Sequence, residues 1–299
     1  MRQNSTRSSL IKSYAFALHG GAGPVLGRDY SQTEAHLEVL AASCETMLEG
    51  GASALDVVEV AVKELENCGL YVAGRGSAPN SAGYVELDAS IMHGPTRNAG
   101  SVAIIRDVVN PVAVARGVME ETPHVLLGGE GARAFASQHG FDLVDDPDTY
   151  YVLPVGVTEG DISEQKHGTV GAVALDTHGE LAAATSTGGT FMKLEGRIGD
   201  TPLIGPGTWA DDTIAVSCTG IGEHIIRSGG ALSVAEKVKA GKPAAAAVAE
   251  MLAEIERLGG DAGVIAVTSG GEIVMDYNSD GMKRAAKVSG SPLVVATFD

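Results

Sequence analysis

One mid-chain stretch limits what can be built around it: Gly168-Thr169-Val170-Gly171-Ala172-Val173-Ala174-Leu175-Asp176, then Thr177-His178-Gly179, then Glu180 through Ala184 and Thr185-Ser186-Thr187-Gly188-Gly189. Two apolar runs joined by a Gly-containing turn read as a β-hairpin. The hairpin begins with a threonine held between glycines. A threonine hydroxyl is a poor nucleophile unless a base sits beside it, and one available base is the residue's own α-amino group, which is free only after a cut just before it. The segment therefore describes either a plain core hairpin or a precursor that cleaves itself between Gly168 and Thr169. What favours the second is the chemistry carried by segments elsewhere.

The 299 residues are enough for a substantial core in one large domain or two small ones. Glycine occurs 40 times, nearly twice its usual share of ~7%. Clusters such as His19-Gly20-Gly21-Ala22-Gly23 and Thr219-Gly220-Ile221-Gly222 point to tight turns and close backbone approach. A net charge of −17 argues against nucleic acid and anionic membrane as partners, because a phosphate surface would repel it. Cys44, Cys68 and Cys218 have no metal-ligand spacing and make no disulfide framework. The only apolar run near the start, Tyr14–Leu18, is too short for a secretory signal, so a cytoplasmic protein is expected.

Periodicity predicts a strand over Tyr14–Leu18, a glycine turn at 19–23, and a helix from Ser31, taken as its N-cap, to Leu48 with Gly50 beyond it. A second helix follows from Ser53 to about Asn67. Strands are expected at Tyr84–Asp88 and Ser101–Ile105, and helices near Pro111–Met119 and Gly131–Gln138. The acidic stretch from Asp142 to Gln165 reads as an exposed connector, where a cut would be tolerated. Beyond the hairpin, a strand at Thr213–Cys218, helices after Gly222, at Ser233–Lys239 and at Pro243–Leu258, and strands at Ala262–Thr268 and Glu272–Tyr277 complete the pattern. Strands early and late with helix pairs between them suggest sheets covered by helices.

Two further segments carry chemistry. In Gly196-Arg197-Ile198-Gly199-Asp200 a guanidinium and a carboxylate stand three residues apart. They form either a local surface ion pair or a clamp for a zwitterion, Arg197 gripping an α-carboxylate and Asp200 accepting from an α-ammonium. In Ser217-Cys218-Thr219-Gly220-Ile221-Gly222-Glu223, Thr219 either caps a helix or joins the Gly220 N–H in holding an oxyanion.

Together with His19–Gly23 and Gly76–Gly94, these segments resemble the plant-type asparaginases, isoaspartyl peptidases/L-asparaginases of the N-terminal nucleophile hydrolase superfamily. The resemblance covers nearly the whole chain in the family's order. It implies an α+β fold, a four-layer αββα sandwich. It also implies a single domain, 1–299, cut into an α chain, 1–168, and a β chain, 169–299, and a homodimer of cleaved protomers. Matched residue by residue, it makes Thr169 the nucleophile and Thr187 the threonine that assists it. Arg197 and Asp200 become the binders of the substrate's α-groups, and Thr219 and Gly220 the oxyanion pair. The stretch Leu65–Arg75 resembles a loop that wraps a structural sodium ion with main-chain carbonyls, which marks Leu65, Glu66, Cys68, Tyr71, Ala73 and Arg75. No cofactor is implied for catalysis. His93 departs from the pattern, standing where the family commonly has an acidic residue.

The expected activity is hydrolysis of L-asparagine, and of N-terminal isoaspartyl peptides, through an acyl-enzyme on Thr169. Both substrates are small and share free α-groups. Glycosylasparaginase is a rival within the superfamily, which Gly168 disfavours, since that enzyme commonly has Asp before its nucleophile. A non-catalytic amino-acid-binding relative is a rival of another class.

Overall fold

The computed structural model describes residues 13–154, 157–163 and 167–299. Two sheets lie face to face with helices on their outer sides. The large sheet contains β1 (Ala15–Ala22), β2 (Leu87–His93), β3 (Ala99–Ile105), β4 (Leu126–Gly128), β5 (His167–Leu175), β6 (Leu181–Thr190), β11 (Met282–Val288) and β12 (Val294–Ala296). Its strand order is β12-β11-β1-β5-β6-β2-β3-β4, with β3 and β4 parallel and the other neighbours antiparallel. The small sheet contains β7 (Thr208–Ala210), β8 (Ile214–Gly220), β9 (Ala262–Thr268) and β10 (Ile273–Tyr277), in the order β10-β9-β8-β7.

Helices α1 (Ser31–Glu49), α2 (Ala54–Asn67), α3 (Pro111–Glu121) and α4 (Gly129–Gln138) cover the large sheet. Two short helices, α5 (Pro147–Tyr150) and α6 (Glu159–Ser163), lie in the predicted connector, whose residues 155–156 and 164–165 fall outside the described residues. Helices α7 (Gly222–Ser228), α8 (Gly230–Lys239) and α9 (Ala244–Arg257) cover the small sheet. The result is the expected α+β, four-layer αββα sandwich.

The central hairpin explains the layering. On β5, Val170, Ala172 and Ala174 join the core under α1–α3, while Val173 and Leu175 join the core shared with the small sheet. A strand buried on both faces reads as a continuous apolar run, not an alternating one. Helix α2 follows its sequence closely. Ser53 caps it by accepting the Asp56 N–H, and Leu55, Val58, Val62 and Leu65 are buried, each contributing about 1.5–3 kcal/mol of transfer free energy.

Elsewhere the structure corrects the sequence reading. Strand β1 does not stop at Leu18 but runs through the glycines to Ala22, which still pairs with Met282 of β11; Gly20 is glycine because an added Cβ would fall 2.3 Å from the ring of Tyr71. Tyr30 is the N-cap of α1, and Ser31 is its first residue; Asp29 Oδ1 accepts the Ser31 N–H at 2.8 Å. The strand expected from Tyr84 starts only at Leu87. Asn80 holds the preceding residues in a turn, its Oδ1 accepting from Ala82 and Tyr84. Periodicity does not mark strands β4, β7, β11 and β12. In β11, Lys283, Arg284 and Lys287 break the apolar pattern by which a buried strand is recognised.

Candidate active site

The nucleophile candidate sits at an irregularity. Gly168 pairs with Gly189 and Val170 with Ser186, so β6 carries one residue more than β5 across this step. Such a bulge re-aims side chains and is common beside active sites. Here Thr169 Oγ1 donates to Thr187 Oγ1 at 3.3 Å, and Thr187 Oγ1 donates to the Gly168 carbonyl at 2.5 Å. The Gly189 N–H reaches Thr187 Oγ1 at 2.9 Å. Both threonines are buried. A hydroxyl chain thus runs from the candidate nucleophile to the carbonyl it would attack.

Gly168 is glycine for reasons of space, since a Cβ there would lie 2.8 Å from both Cβ and Cγ2 of Val72. Gly21 faces Thr169 from β1 in the left-handed region, with φ +105°; its Cβ would sit 3.4 Å from the Thr169 carbonyl oxygen and 3.5 Å from Thr169 N. Gly171, two residues on, faces Ser217 and His19, with an added Cβ 2.1 Å from Ser217 Oγ and 2.4 Å from His19 Nε2.

His19 plays a part that its sequence context did not reveal. Its Nδ1 lies 3.1 Å from the Thr169 carbonyl and its Nε2 lies 2.9 Å from Ser217 Oγ. Burial drives its pKa down to about 3, so the ring is neutral. A carbonyl can only accept, so Nδ1 carries the hydrogen and Nε2 accepts from Ser217. Ser217 continues to Thr185 at 2.8 Å, Thr185 to Thr208 at 2.5 Å, and Ser90 to Thr208 at 2.8 Å. This hydroxyl ladder between the two sheets fixes the main chain at Thr169.

Thr219 lies two residues beyond Ser217 on β8, and its Oγ1 accepts the Ala22 N–H at 3.2 Å. Gly220 takes φ +141°, and a Cβ there would fall 2.5 Å from the Asp261 carbonyl. The chain then turns into α7 at Gly222, where the two clamp residues meet. A Cβ on Gly222 would lie 2.9 Å from Asp200 Oδ1 and 3.0 Å from Arg197 Nη2. Asp200 is buried.

Arg197 is not bare. Glu223 receives it bidentately, Nε to Oε1 at 2.9 Å and Nη2 to Oε2 at 2.8 Å. In the sequence Glu223 only closes the Ser217–Glu223 motif, with nothing local to mark it as a partner of Arg197. It raises the guanidinium's pKa against the effect of burial, and Arg197 in return lowers the Glu223 carboxyl.

Sequence reading also passed over Asp88 and Lys193. Asp88 pairs with Thr187 across β2 and β6, and its Oδ1 accepts the Ile104 N–H at 2.7 Å. Lys193 Nζ donates to the Glu86 carbonyl at 2.9 Å and lies against Gly189. Burial raises the first group and lowers the second, so each disfavours its own charge.

The six residues of the expected cation loop lie at the end of α2 and in the turn after it, including a short 3-10 turn at Gly74–Gly76. The carbonyls of Tyr71, Ala73 and Arg75 accept from Ala73, Gly76 and Val152. The Glu66 side chain faces elsewhere, accepting from the Val112 N–H at 3.1 Å and Asn110 Nδ2 at 3.0 Å, and burial pushes it up to about 7. The loop touches the hairpin directly, since the Gly188 N–H donates to the Val72 carbonyl at 2.9 Å. His93, the departure noted above, bonds Thr96 Oγ1 at 3.0 Å and Glu180 Oε2 at 3.3 Å at the far end of β2.

A family model described as asparaginase matches residues 12–154 and 148–295. Isoaspartyl peptidases of Salmonella typhimurium and Escherichia coli are 42% and 43% identical, each over 90% of this chain and 93% and 91% of their own. A plant-type L-asparaginase of Thermococcus kodakarensis is 39% identical over 91% of this chain and 95% of its own. With a match of this extent on a hydroxyl-lined bulge and a charged clamp, the chain belongs to the asparaginase family.

Proposed function

We propose that this chain is a self-cleaving amidohydrolase that hydrolyses L-asparagine to aspartate and ammonia and removes N-terminal isoaspartyl residues from short peptides. The relatives' names, isoaspartyl peptidase and plant-type L-asparaginase, support the substrates. The observation that carries the chemistry is the chain Thr169 Oγ1–Thr187 Oγ1–Gly168 O.

In the first stage the Thr169 oxygen adds to the Gly168 carbonyl. Its proton passes to Thr187, whose own proton moves to the developing oxyanion. Collapse breaks the C–N bond, the amine takes a proton, and an ester joins Gly168 to the Thr169 side chain. Water hydrolyses it, leaving a Gly168 carboxylate and a free Thr169 α-amino group. The products are chains of 168 and 131 residues.

In the second stage that amine, with a reference pKa of ~8, takes the hydroxyl proton. Arg197 and Asp200 hold the substrate's α-carboxylate and α-ammonium, with Glu223 keeping the guanidinium fork oriented. Thr219 and the Gly220 N–H stabilise the oxyanion. The protonated amine passes its proton to the leaving nitrogen, and water releases aspartate. Only the β-substituent differs between asparagine and an isoaspartyl residue, so one clamp serves both.

The loop after α2 fits a structural sodium ion. The carbonyls of Tyr71, Ala73 and Arg75 each accept one N–H and keep a second lone pair, the hard oxygen donor such a cation takes. Leu65, Glu66, Cys68, Tyr71, Ala73 and Arg75 would hold it. The working unit we propose is a cytoplasmic homodimer of cleaved single-domain protomers; among the described residues no helix is long and apolar enough to cross a membrane.

Denaturing electrophoresis beside Thr169→Ala tests the first stage: wild type gives two fragments and the variant one intact band. Ammonia or amine release from asparagine, a β-aspartyl dipeptide and glycosylasparagine tests the second. Full activity with an uncut chain overturns the proposal.

A further inference from the structure

A cavity of about 60 Å³ opens beside Gly168, the Gly20 and Gly23 backbone and Val72. That is room for about two waters. Two cations line it, Arg28 and Lys283, and their situations differ. Arg28 is answered by Asp161, Nη1 to Oδ2 at 3.0 Å and Nη2 to Oδ1 at 3.3 Å. Lys283 has no carboxylate at ion-pair distance among the described residues; its Nζ stands 5.3 Å from the centre of the Tyr30 ring. Burial, with repulsion from Arg28 second, brings its pKa down to about 8. An ammonium so placed is destabilised, and an arriving anion would offset that.

The reaction proposed above supplies such an anion. The leaving nitrogen must come close to the Thr169 α-amino group that protonates it. The Thr169 nitrogen lies near Gly21, and Gly20 just before it, Gly23 two residues on and Gly168 itself border the cavity. Neither Arg197 nor Asp200 lines it. A substrate anchored by its α-groups at the clamp, with its carbonyl at Thr169, therefore directs its leaving group away from the clamp and toward this cavity. Ammonia would touch nothing there. The amine leaving a β-aspartyl dipeptide carries its own carboxylate, two bonds from the departing nitrogen.

We propose that Lys283, with Arg28 beside it, forms a leaving-group subsite that binds the C-terminal carboxylate of β-aspartyl dipeptides. This rests on the hydrolase reading and gives it a preference, for dipeptides ending in a free carboxylate.

The test compares β-aspartyl-alanine, β-aspartyl-alaninamide and L-asparagine on self-cleaved wild type and on Lys283→Met, which keeps the aliphatic stem. Wild type should favour the free acid over the amide. In Lys283→Met, kcat/KM on the acid should fall about tenfold through KM, the scale of one charged hydrogen bond, with the amide and asparagine nearly unchanged. Lys283→Arg should keep the preference. Equal losses on all three substrates, or wild type that does not distinguish acid from amide while hydrolysing asparagine, overturn the subsite and leave the hydrolase reading standing. Wild type inert on all three sinks the hydrolase reading, and the subsite with it. Electrophoresis shows whether each variant still cleaves; should Lys283→Met fail to, the acid-to-amide ratios of wild type and Lys283→Arg decide.

Discussion

Around Thr169 the polar neighbours are hydroxyls, backbone groups and a neutral imidazole, whereas around Arg197 they are carboxylates. The first region is buried between two sheets; in the second, the Glu223 side chain keeps 55% of its surface in solvent. The contrast teaches a division of labour. Neutral groups act by position, where displacement by an ångström can cost about a hundredfold. Charged groups act by field and fork geometry, which weaken by degrees. The hydroxyl end should therefore fail abruptly and in both stages. The clamp should fail gradually and only in turnover.

The sharpest way to break this division is Thr187→Val, which keeps the shape and removes the hydroxyl. Cleavage followed by electrophoresis should slow by about 10²–10³-fold, the worth of one oxyanion donor. Cleavage at the wild-type rate would end the relay. Arg197→Lys keeps the charge without the fork. Self-cleavage should be normal and kcat/KM on asparagine should drop by about 30–100-fold; a defect in cleavage would make Arg197 a structural residue instead.

Acid offers a third test. The folded pKa of His19 is depressed to about 3 against a reference of ~6.5, so between these values the unfolded chain binds the extra proton. Stability is therefore fully present above the unfolded value and erodes as pH falls. The loss on going to pH 5 is about 2 kcal/mol by linkage. Denaturant melts should show it, and His19→Gln should flatten it. Smaller still is Gly168→Ala, which should slow cleavage about tenfold through the clash with Val72 and be relieved by adding Val72→Ala. The mildest effect concerns the loop after α2. Replacing sodium by choline at equal ionic strength should lower Tm by a few degrees, of order 1 kcal/mol in a chain this long.

Much of this contrast could be read from the sequence. Gly168, Thr169 and Thr187 stand in one hairpin, and Arg197 and Asp200 in one turn, so local spacing carries them. His19 could be quoted but not understood, because its partners are 150 and 198 residues away. Glu223 was hidden by a motif that explained itself through Thr219 and Gly220. Lys193 and Asp88 were missed for the same reason as β11: a charge in a buried strand or loop looks like surface until the neighbours that enclose it are known. Boundaries slipped where side chains overrule propensity, as Asn80 does in delaying β2.

The tight contact at Gly171 has a bearing on engineering. With Ser217 and His19 pressed against that position, even a methyl would act as a wedge between the sheets. Libraries aimed at new substrates would be wasted on the hairpin and belong on the Arg28–Lys283 flank, which takes no part in the hydroxyl chain at Thr169.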